Sequence, residues 1–262
     1  MNILDLTGKT ALITGAGQGV GFQAAVHLAA HGANVVINDF NEEKAAAAAK
    51  EICAEFGDNK AMGICADVTD FDAVMAMAET AREAYQSIDI LVNNAGNAGA
   101  DFSRLSQQPF WKQSPENWAP WLDVNLMGVM NCSRACLPDM IEKKQGSIIN
   151  VISDAGRVGE ANMEAYSAAK AGTAGFTRSV ARTVGKYTVR ANCVAISGTR
   201  TPTTVGFMDN EDFAKKALSK YVIRRFGEPS DVANMILFLA SDATSWVTGQ
   251  TYPVNGGFDF AQ

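Results

Sequence analysis

Lys9-Thr-Ala-Leu-Ile-Thr14-Gly15-Ala-Gly17-Gln-Gly19-Val-Gly21 is the stretch whose reading decides the fold. Lys9 to Thr14 is a short apolar and β-branched run, and beyond the glycines Ala25, Leu28 and Ala29 recur at helical spacing. The order is strand, glycine turn, helix. Glycines there let the backbone bend sharply and approach a pyrophosphate, whose charge the unpaired N–H groups and dipole of the helix favour. Such a loop also makes ordinary tight turns, and its place between strand and helix is what raises it to a dinucleotide signal.

Outward from that unit the alternation repeats. Asn34-Val-Val-Ile-Asn-Asp39-Phe40 reads as a buried strand ending in an acid, and Asn41-Glu-Glu-Lys-Ala starts the next helix. Asp39 can accept both adenosine ribose hydroxyls and repel a 2′-phosphate, or it can belong to the helix N-terminus. Neither Gln18 nor Phe40 offers a cation to a phosphate, so the preference points to NAD over NADP. Ala61 to Ala66 predicts a third strand closed by Asp67-Val68. Thr69-x-x-Asp72 resembles a capping box for a helix through Val74, Met77 and Ala81. Ile88-Asp-Ile-Leu-Val is a fourth strand entering Asn93-Asn94-Ala95-Gly96. Strands and helices alternating at this pitch predict an α/β fold, a doubly wound parallel sheet.

The second informative stretch is Val151 to Gly172, with Ser153, Tyr166 and Lys170. If Tyr166 opens a helix, Lys170 lies on the same face one turn on, and a fixed cation favours the phenolate of a side chain that is otherwise a poor base. Ser153 falls at the end of an apolar run, where active-site groups of open α/β sheets gather. Taken alone, Tyr-x-x-x-Lys fits an amphipathic helix start equally well.

Composition narrows the classes. The chain has 262 residues, no linker-like segment, and a net charge of −6, which gives no electrostatic reason to expect nucleic acid or an anionic membrane. No apolar region follows a basic start and no apolar run reaches membrane-spanning length, so a cytoplasmic enzyme without membrane association is expected. The five cysteines are scattered and read as buried reduced thiols. His27 and His31 read as helix-surface residues, and no metal site is expected.

Thr14-Gly15-x-x-x-Gly19-x-Gly21, Asn93-Asn-Ala-Gly96, Ser153 and Tyr166-x-x-x-Lys170 together resemble the short-chain dehydrogenase/reductase family, in that order and over essentially the whole chain. Asn125 in Asp-Val-Asn-Leu, Asn192-Cys-Val-Ala and Val247 to Gly257 continue the match. The resemblance implies one Rossmann-type catalytic domain over residues 1–262, with about seven parallel strands and helices on both faces. It implies Tyr166 as general acid/base, Lys170 lowering its pKa and holding the nicotinamide ribose, Ser153 bonding the substrate oxygen, and Asn125 anchoring a water chain toward Lys170. Asn125 can also be read as merely satisfying helix backbone. Cofactor contacts are implied at Gly15, Gln18, Gly19, Val20 and Gly21, at Asp39 and Phe40, at Asp67 and Val68, and at Asn94, Ala95 and Gly96, besides Tyr166 and Lys170.

Two segments depart from the family. Ser197-Gly198 stands where members have Pro-Gly, which unsettles the nicotinamide contacts assigned to Thr199 and Thr201. The stretch between Gly96 and Asn125 is longer than usual and carries Phe102, Phe110, Trp111, Trp118 and Trp121. With the substrate-covering loop of about 198–226, which is expected to be mobile without ligands, it points to a bulky apolar or cyclic alcohol, hydroxyacyl-CoA-like or hydroxysteroid-like. The alternatives are a 3-oxoacyl carrier-protein reductase using NADPH and, more remotely, a non-catalytic nucleotide sensor. Small residues along Ala165 to Val184, paired across subunits with a helix from Pro120 to Ile141 that Pro138 should kink or end, imply a homotetramer or dimer. The same small residues could pack only on the chain's own sheet.

Overall fold

The computed structural model describes residues 2–96 and 108–261. Its first unit is the predicted one: β1 (Thr10–Ile13), the glycine loop, then α1 (Gly19–Ala30). β2 (Asn34–Asp39), α2 (Glu42–Phe56), β3 (Ala61–Cys65), α3 (Phe71–Tyr85) and β4 (Ile90–Asn93) follow. After them come α4 (Pro115–Leu122), a π-helical turn (Asp123–Met127), α5 (Gly128–Lys143) and β5 (Gly146–Ser153). The chain ends through α6 (Ala155–Val158), α7 (Glu164–Val184), β6 (Val189–Ile196), α8 (Val205–Met208), α9 (Glu211–Leu218), α10 (Pro229–Ala240) and β7 (Thr251–Val254).

Among the described residues, seven strands join one sheet in the order β3-β2-β1-β4-β5-β6-β7, each pairing parallel. Alternation along the strands feeds two cores. Ile13, Ile37, Val92 and Ile149 face α1, α2 and α10, whereas Leu12, Val36, Leu91 and Ile148 face α3, α5 and the end of α7. The strand order reverses between β1 and β4, the switch point outside whose carboxyl ends open α/β sheets bind their ligands.

Local details correct some expectations. Asp70, not Thr69, caps α3: its Oδ1 accepts from the amides of Asp72 (3.0 Å) and Ala73 (3.1 Å), and a carboxylate suits the dipole end. The helix expected from Pro120 to Ile141 is two helices joined by the π turn, and it neither begins at Pro120 nor stops at Pro138. Pro138 lies within α5, which runs on to Lys143. Cys132, Cys136 and Cys193 are buried thiols, but Cys53 is half-buried and Cys65 is exposed at the end of the sheet's edge strand. His27 and His31 pair locally, the ring of His31 meeting the His27 carbonyl at 2.8 Å. Phe102 lies outside the described residues.

Candidate active site

The glycine loop is held by tight packing from behind. Gly15 adopts φ +61°, and a Cβ there would fall 2.9 Å from Ala95 Cα. A Cβ on Gly21 would fall 2.6 Å from the Gly15 carbonyl oxygen, and one on Gly17 would fall 2.7 Å from Asp39 Oδ2. Asn94 locks the other side. Its Nδ2 donates to the carbonyls of Thr14 and Gly15 (3.0 Å each), and Thr14 Oγ1 accepts from the amides of Asn94 (3.1 Å) and Ala95 (3.0 Å).

The start of α1 is open to an anion. Gln18 supplies no side-chain cap and no acid stands in the first turn, so the Gly19–Gly21 end offers donors and the positive dipole end without a carboxylate of its own. Asp39, buried at the end of β2, accepts from the Gly17 amide (3.1 Å) and the Asn41 amide (3.0 Å). Each carboxylate oxygen keeps further acceptor capacity, as a ribose diol requires. These residues fit a dinucleotide's diphosphate and adenosine ribose. Phe40 is exposed beside them. Val68 is buried against Gly128, while the Asp67 carboxylate turns to Thr69, accepting from its amide (2.9 Å) and hydroxyl (2.8 Å).

The polar group at the end of β5 is assembled from three elements. Ser153 closes the strand, and its Oγ accepts from the Ala155 amide at 3.2 Å. Tyr166 and Lys170 lie one turn apart on α7, with Nζ 5.7 Å from the phenol ring centroid. Lys170 is buried and donates to the Val151 carbonyl at 2.8 Å. Burial pushes its ammonium down to about 8, opposed by Cys193. Burial also holds the Tyr166 phenol above its ordinary value, with a hydrogen bond from Ser153 pulling the other way. Desolvation is the larger of these two influences on the phenol.

Asn125 sits in the π turn, a distortion that recurs at functional sites. Its Nδ2 donates to the Trp121 carbonyl (2.9 Å), and its own carbonyl accepts from Thr173 Oγ1 (2.7 Å). A Cβ on Gly96 would lie 3.3 Å from Asn125 Oδ1 and 3.5 Å from Lys170 Nζ, so Gly96, Asn125 and Lys170 meet at one point. Thr201 stands across Gly19, since a Cβ there would touch its side chain at 3.5 Å. Thr199 is buried and pairs with Gly227 instead.

Several contacts of this neighbourhood escape sequence reasoning. Tyr221 reaches back over the loop: its hydroxyl lies 2.6 Å from Ser197 Oγ and accepts from the Gly198 amide at 2.9 Å. The Trp121 ring meets the Tyr166 ring edge-on, centroids 5.3 Å apart, and Phe110 stacks on Trp118 at 5.2 Å. Lys44 stands over the glycine loop, its Cβ 2.7 Å from where a Gly17 Cβ would be. Under the site, Asn93 Nδ2 donates to Asn150 Oδ1 (2.8 Å) and Asn150 Nδ2 to Thr177 Oγ1 (2.7 Å). The only available signal was polar residues inside apolar strands. Among the described residues no group of three or more His, Cys, Asp or Glu could hold a metal, and no helix is long and apolar enough to cross a membrane.

A glycine-cradled anion site beside a serine, a tyrosine and a lysine on a parallel sheet defines a dinucleotide-dependent oxidoreductase. A family model described as enoyl-(acyl carrier protein) reductase matches residues 15–259. The chain is 37% identical over 250 residues to a 3-oxoacyl-(acyl-carrier-protein) reductase of Staphylococcus aureus, covering 95% of this chain and 97% of that one. It is 38% identical over 253 residues to trans-4-hydroxycyclohexanecarboxylate dehydrogenase of Sinomonas cyclohexanicum, covering 95% and 92%. A solved gluconate 5-dehydrogenase from Burkholderia cenocepacia, in complex with NADP and tartrate, superposes with a TM-score of 0.89 at 32% identity, covering 98% and 97%. The chain belongs to the short-chain dehydrogenase/reductase family.

Proposed function

We propose that the protein is an NAD-dependent dehydrogenase or ketoreductase that interconverts a secondary alcohol and its ketone. The observation carrying this reading is the convergence of Ser153, Tyr166, Lys170 and Asn125 beside an uncapped helix start that fits a dinucleotide. When bound, the nicotinamide supplies the hydride acceptor or donor. In oxidation Tyr166 takes the alcohol proton, and in reduction it returns one to the carbonyl oxygen. Ser153 donates a hydrogen bond to the same oxygen. Lys170, held in place by the Val151 carbonyl, sets the charge beside the phenol and reaches the nicotinamide ribose. Asn125 fixes the helix at this point and anchors the water path toward Lys170. Gly15, Gly19 and Gly21 with the backbone of Gln18 and Val20 cradle the diphosphate. Asp39 and Phe40 flank the adenosine ribose, Asp67 and Val68 the adenine, and Asn94 to Gly96 the inner ribose. Thr201 stands nearer than Thr199 to the loop and is the better candidate for the nicotinamide side.

The aromatics on α4 and the α8–α9 segment favour a bulky apolar or cyclic substrate, as does similarity to an enzyme named for a hydroxycyclohexane carboxylate. A cytoplasmic homotetramer is the accompanying expectation. A second reading, an NADPH-dependent 3-oxoacyl carrier-protein reductase, is favoured by the similarity to such a reductase and by a structural neighbour holding NADP.

The test is turnover of NAD and NADP against cyclic, aromatic, steroidal and acyl-thioester alcohols and ketones. NAD reduction by cyclic alcohols is expected. Preference for NADPH with acyl-thioester ketones would establish the second reading, and nucleotide binding without turnover a sensor. Tyr166→Phe should lower kcat by about 10²-fold or more with nucleotide binding retained, in line with general-base contributions. Asp39→Ala with Phe40→Arg should raise NADP use relative to NAD by removing a repelling charge and adding a phosphate partner. A wild type already preferring NADP would remove the Asp39 argument.

A further inference from the structure

Trp121 is placed where two parts of the site meet, and no sequence motif marks it. It lies in the last turn of α4, directly before the π turn that carries Asn125. Its carbonyl accepts the Asn125 side-chain amide at 2.9 Å, and its indole meets the Tyr166 ring edge-on with centroids 5.3 Å apart and planes at 66°. The first contact orients Asn125. The second covers one side of the phenol with a neutral, apolar wall, in the geometry aromatic pairs prefer. One residue thus couples a helix-borne amide to the acid/base phenol, although the two groups come from different helices.

We propose that Trp121 is a positioning residue that fixes the Tyr166 ring and excludes water from it, holding the phenol and Asn125 in one register. The inference rests on the role given to Tyr166 above but adds a residue to it. Among the described residues, the Tyr166 ring is met by Lys170 from its own helix, the Ser153 hydroxyl from β5 and the neutral indole from α4. Lys170 is the charged member of that set. Burial, the dominant influence on the phenol, therefore depends in part on the indole.

Two measurements on the full-length protein separate this proposal from the functional reading. The first needs no substrate: phenolate absorbance is titrated in wild type, Trp121→Ala, Trp121→Phe and Tyr166→Phe, and the step missing from Tyr166→Phe is the one that belongs to Tyr166. That step should move down by about one pH unit in Trp121→Ala, because water reaches the ring, and should recover most of the shift in Trp121→Phe. The second is kinetic. With a substrate from the panel, Trp121→Ala should lose about tenfold or more in kcat with an unchanged KM for the nucleotide, and Trp121→Phe should recover most of the loss. An unmoved Tyr166 titration in a Trp121→Ala protein that melts like wild type would overturn the proposal, and so would equal kcat in the two. A shifted titration with no turnover by any variant, wild type included, would uphold the positioning role while overturning the assigned activity. If Trp121→Ala fails to fold, Trp121→Leu keeps an apolar side chain of intermediate size without the aromatic edge, and the same two outcomes decide.

Discussion

Lys170 shows how much a single side chain can ask of this fold. Its ammonium is taken from water, donates to the Val151 carbonyl, and falls from an ordinary 10.5 to about 8. Between those values the unfolded chain holds a proton that the folded chain has released, so this residue's contribution to stability rises with pH across the window and is flat below it. Urea unfolding of wild type and Lys170→Met at a series of pH values should show wild type gaining roughly 3 kcal/mol on the variant from below the lower value to the upper. Parallel stability curves would mean that Lys170 is not desolvated as described. At this scale the sequence was informative wherever chemistry is local. Asp39, Ser153, Tyr166 and Lys170 could be singled out from residue type and spacing, and the structure places Asp39 at the end of β2, Ser153 at the end of β5 and the other two one turn apart on α7. The upward shift of the Tyr166 phenol was not legible, because it comes from burial, which depends on the packing of groups distant in sequence.

At the scale of the element, the loop after β6 carries ties that the sequence did not announce. It is expected to be mobile without ligands. The structure ties Ser197 and Gly198 to the Tyr221 hydroxyl, and Tyr221 packs on Phe226 and Phe258. Gly198, Arg200 and Gly227 exchange backbone hydrogen bonds across the same turn. Hydrogen exchange of the nucleotide-free protein should therefore show protected amides at Gly198, Arg200 and Gly227. Tyr221→Phe keeps the ring packing and removes the hydroxyl, so their protection should fall by about 1 kcal/mol for each bond lost. Fast exchange at these amides in wild type would restore the mobile loop. The clamp was illegible in sequence, since its two halves are separated by both short helices of the segment. The π turn was hidden for another reason: it interrupts an otherwise continuous helical pattern by one residue, and apolar spacing reads through it.

Across the whole molecule, the doubly wound parallel sheet was legible from strand and helix alternation, while its strand order and its two cores come from the structure. The assembly was not. The small residues of α7 divide: Ala169 is buried, Ala174 packs against the cluster of Ile152, Cys193 and Ala195, and a Cβ on Gly172 would touch Leu126 at 3.3 Å. Those positions answer to the chain's own packing. Ala168 and Ala171 remain exposed, as do Met127 and Met130 at the start of the neighbouring helix, and they form the face available for the proposed subunit pairing. Ala168→Arg places a long charged side chain on that face without touching the core. Sedimentation should give a homotetramer for wild type and a smaller species for the variant, with thermal melting of the smaller species showing retained fold. Identical sedimentation of the two proteins would move the interface elsewhere.

The π turn between α4 and α5 also acts as a phase setter. An α-helix advances about 100° per residue, so a turn with one residue more than the regular spiral rotates everything upstream of it by that angle relative to everything downstream. With the π turn in place, Trp121 of α4 meets Tyr166. Removing one residue between Asp123 and Met127 would leave the helical content of the chain almost unchanged while swinging Trp121 a quarter-turn off the site. For this segment, chain length rather than residue identity governs the shape of the cleft, and a relative that keeps every motif but lacks that one residue would have a differently lined one.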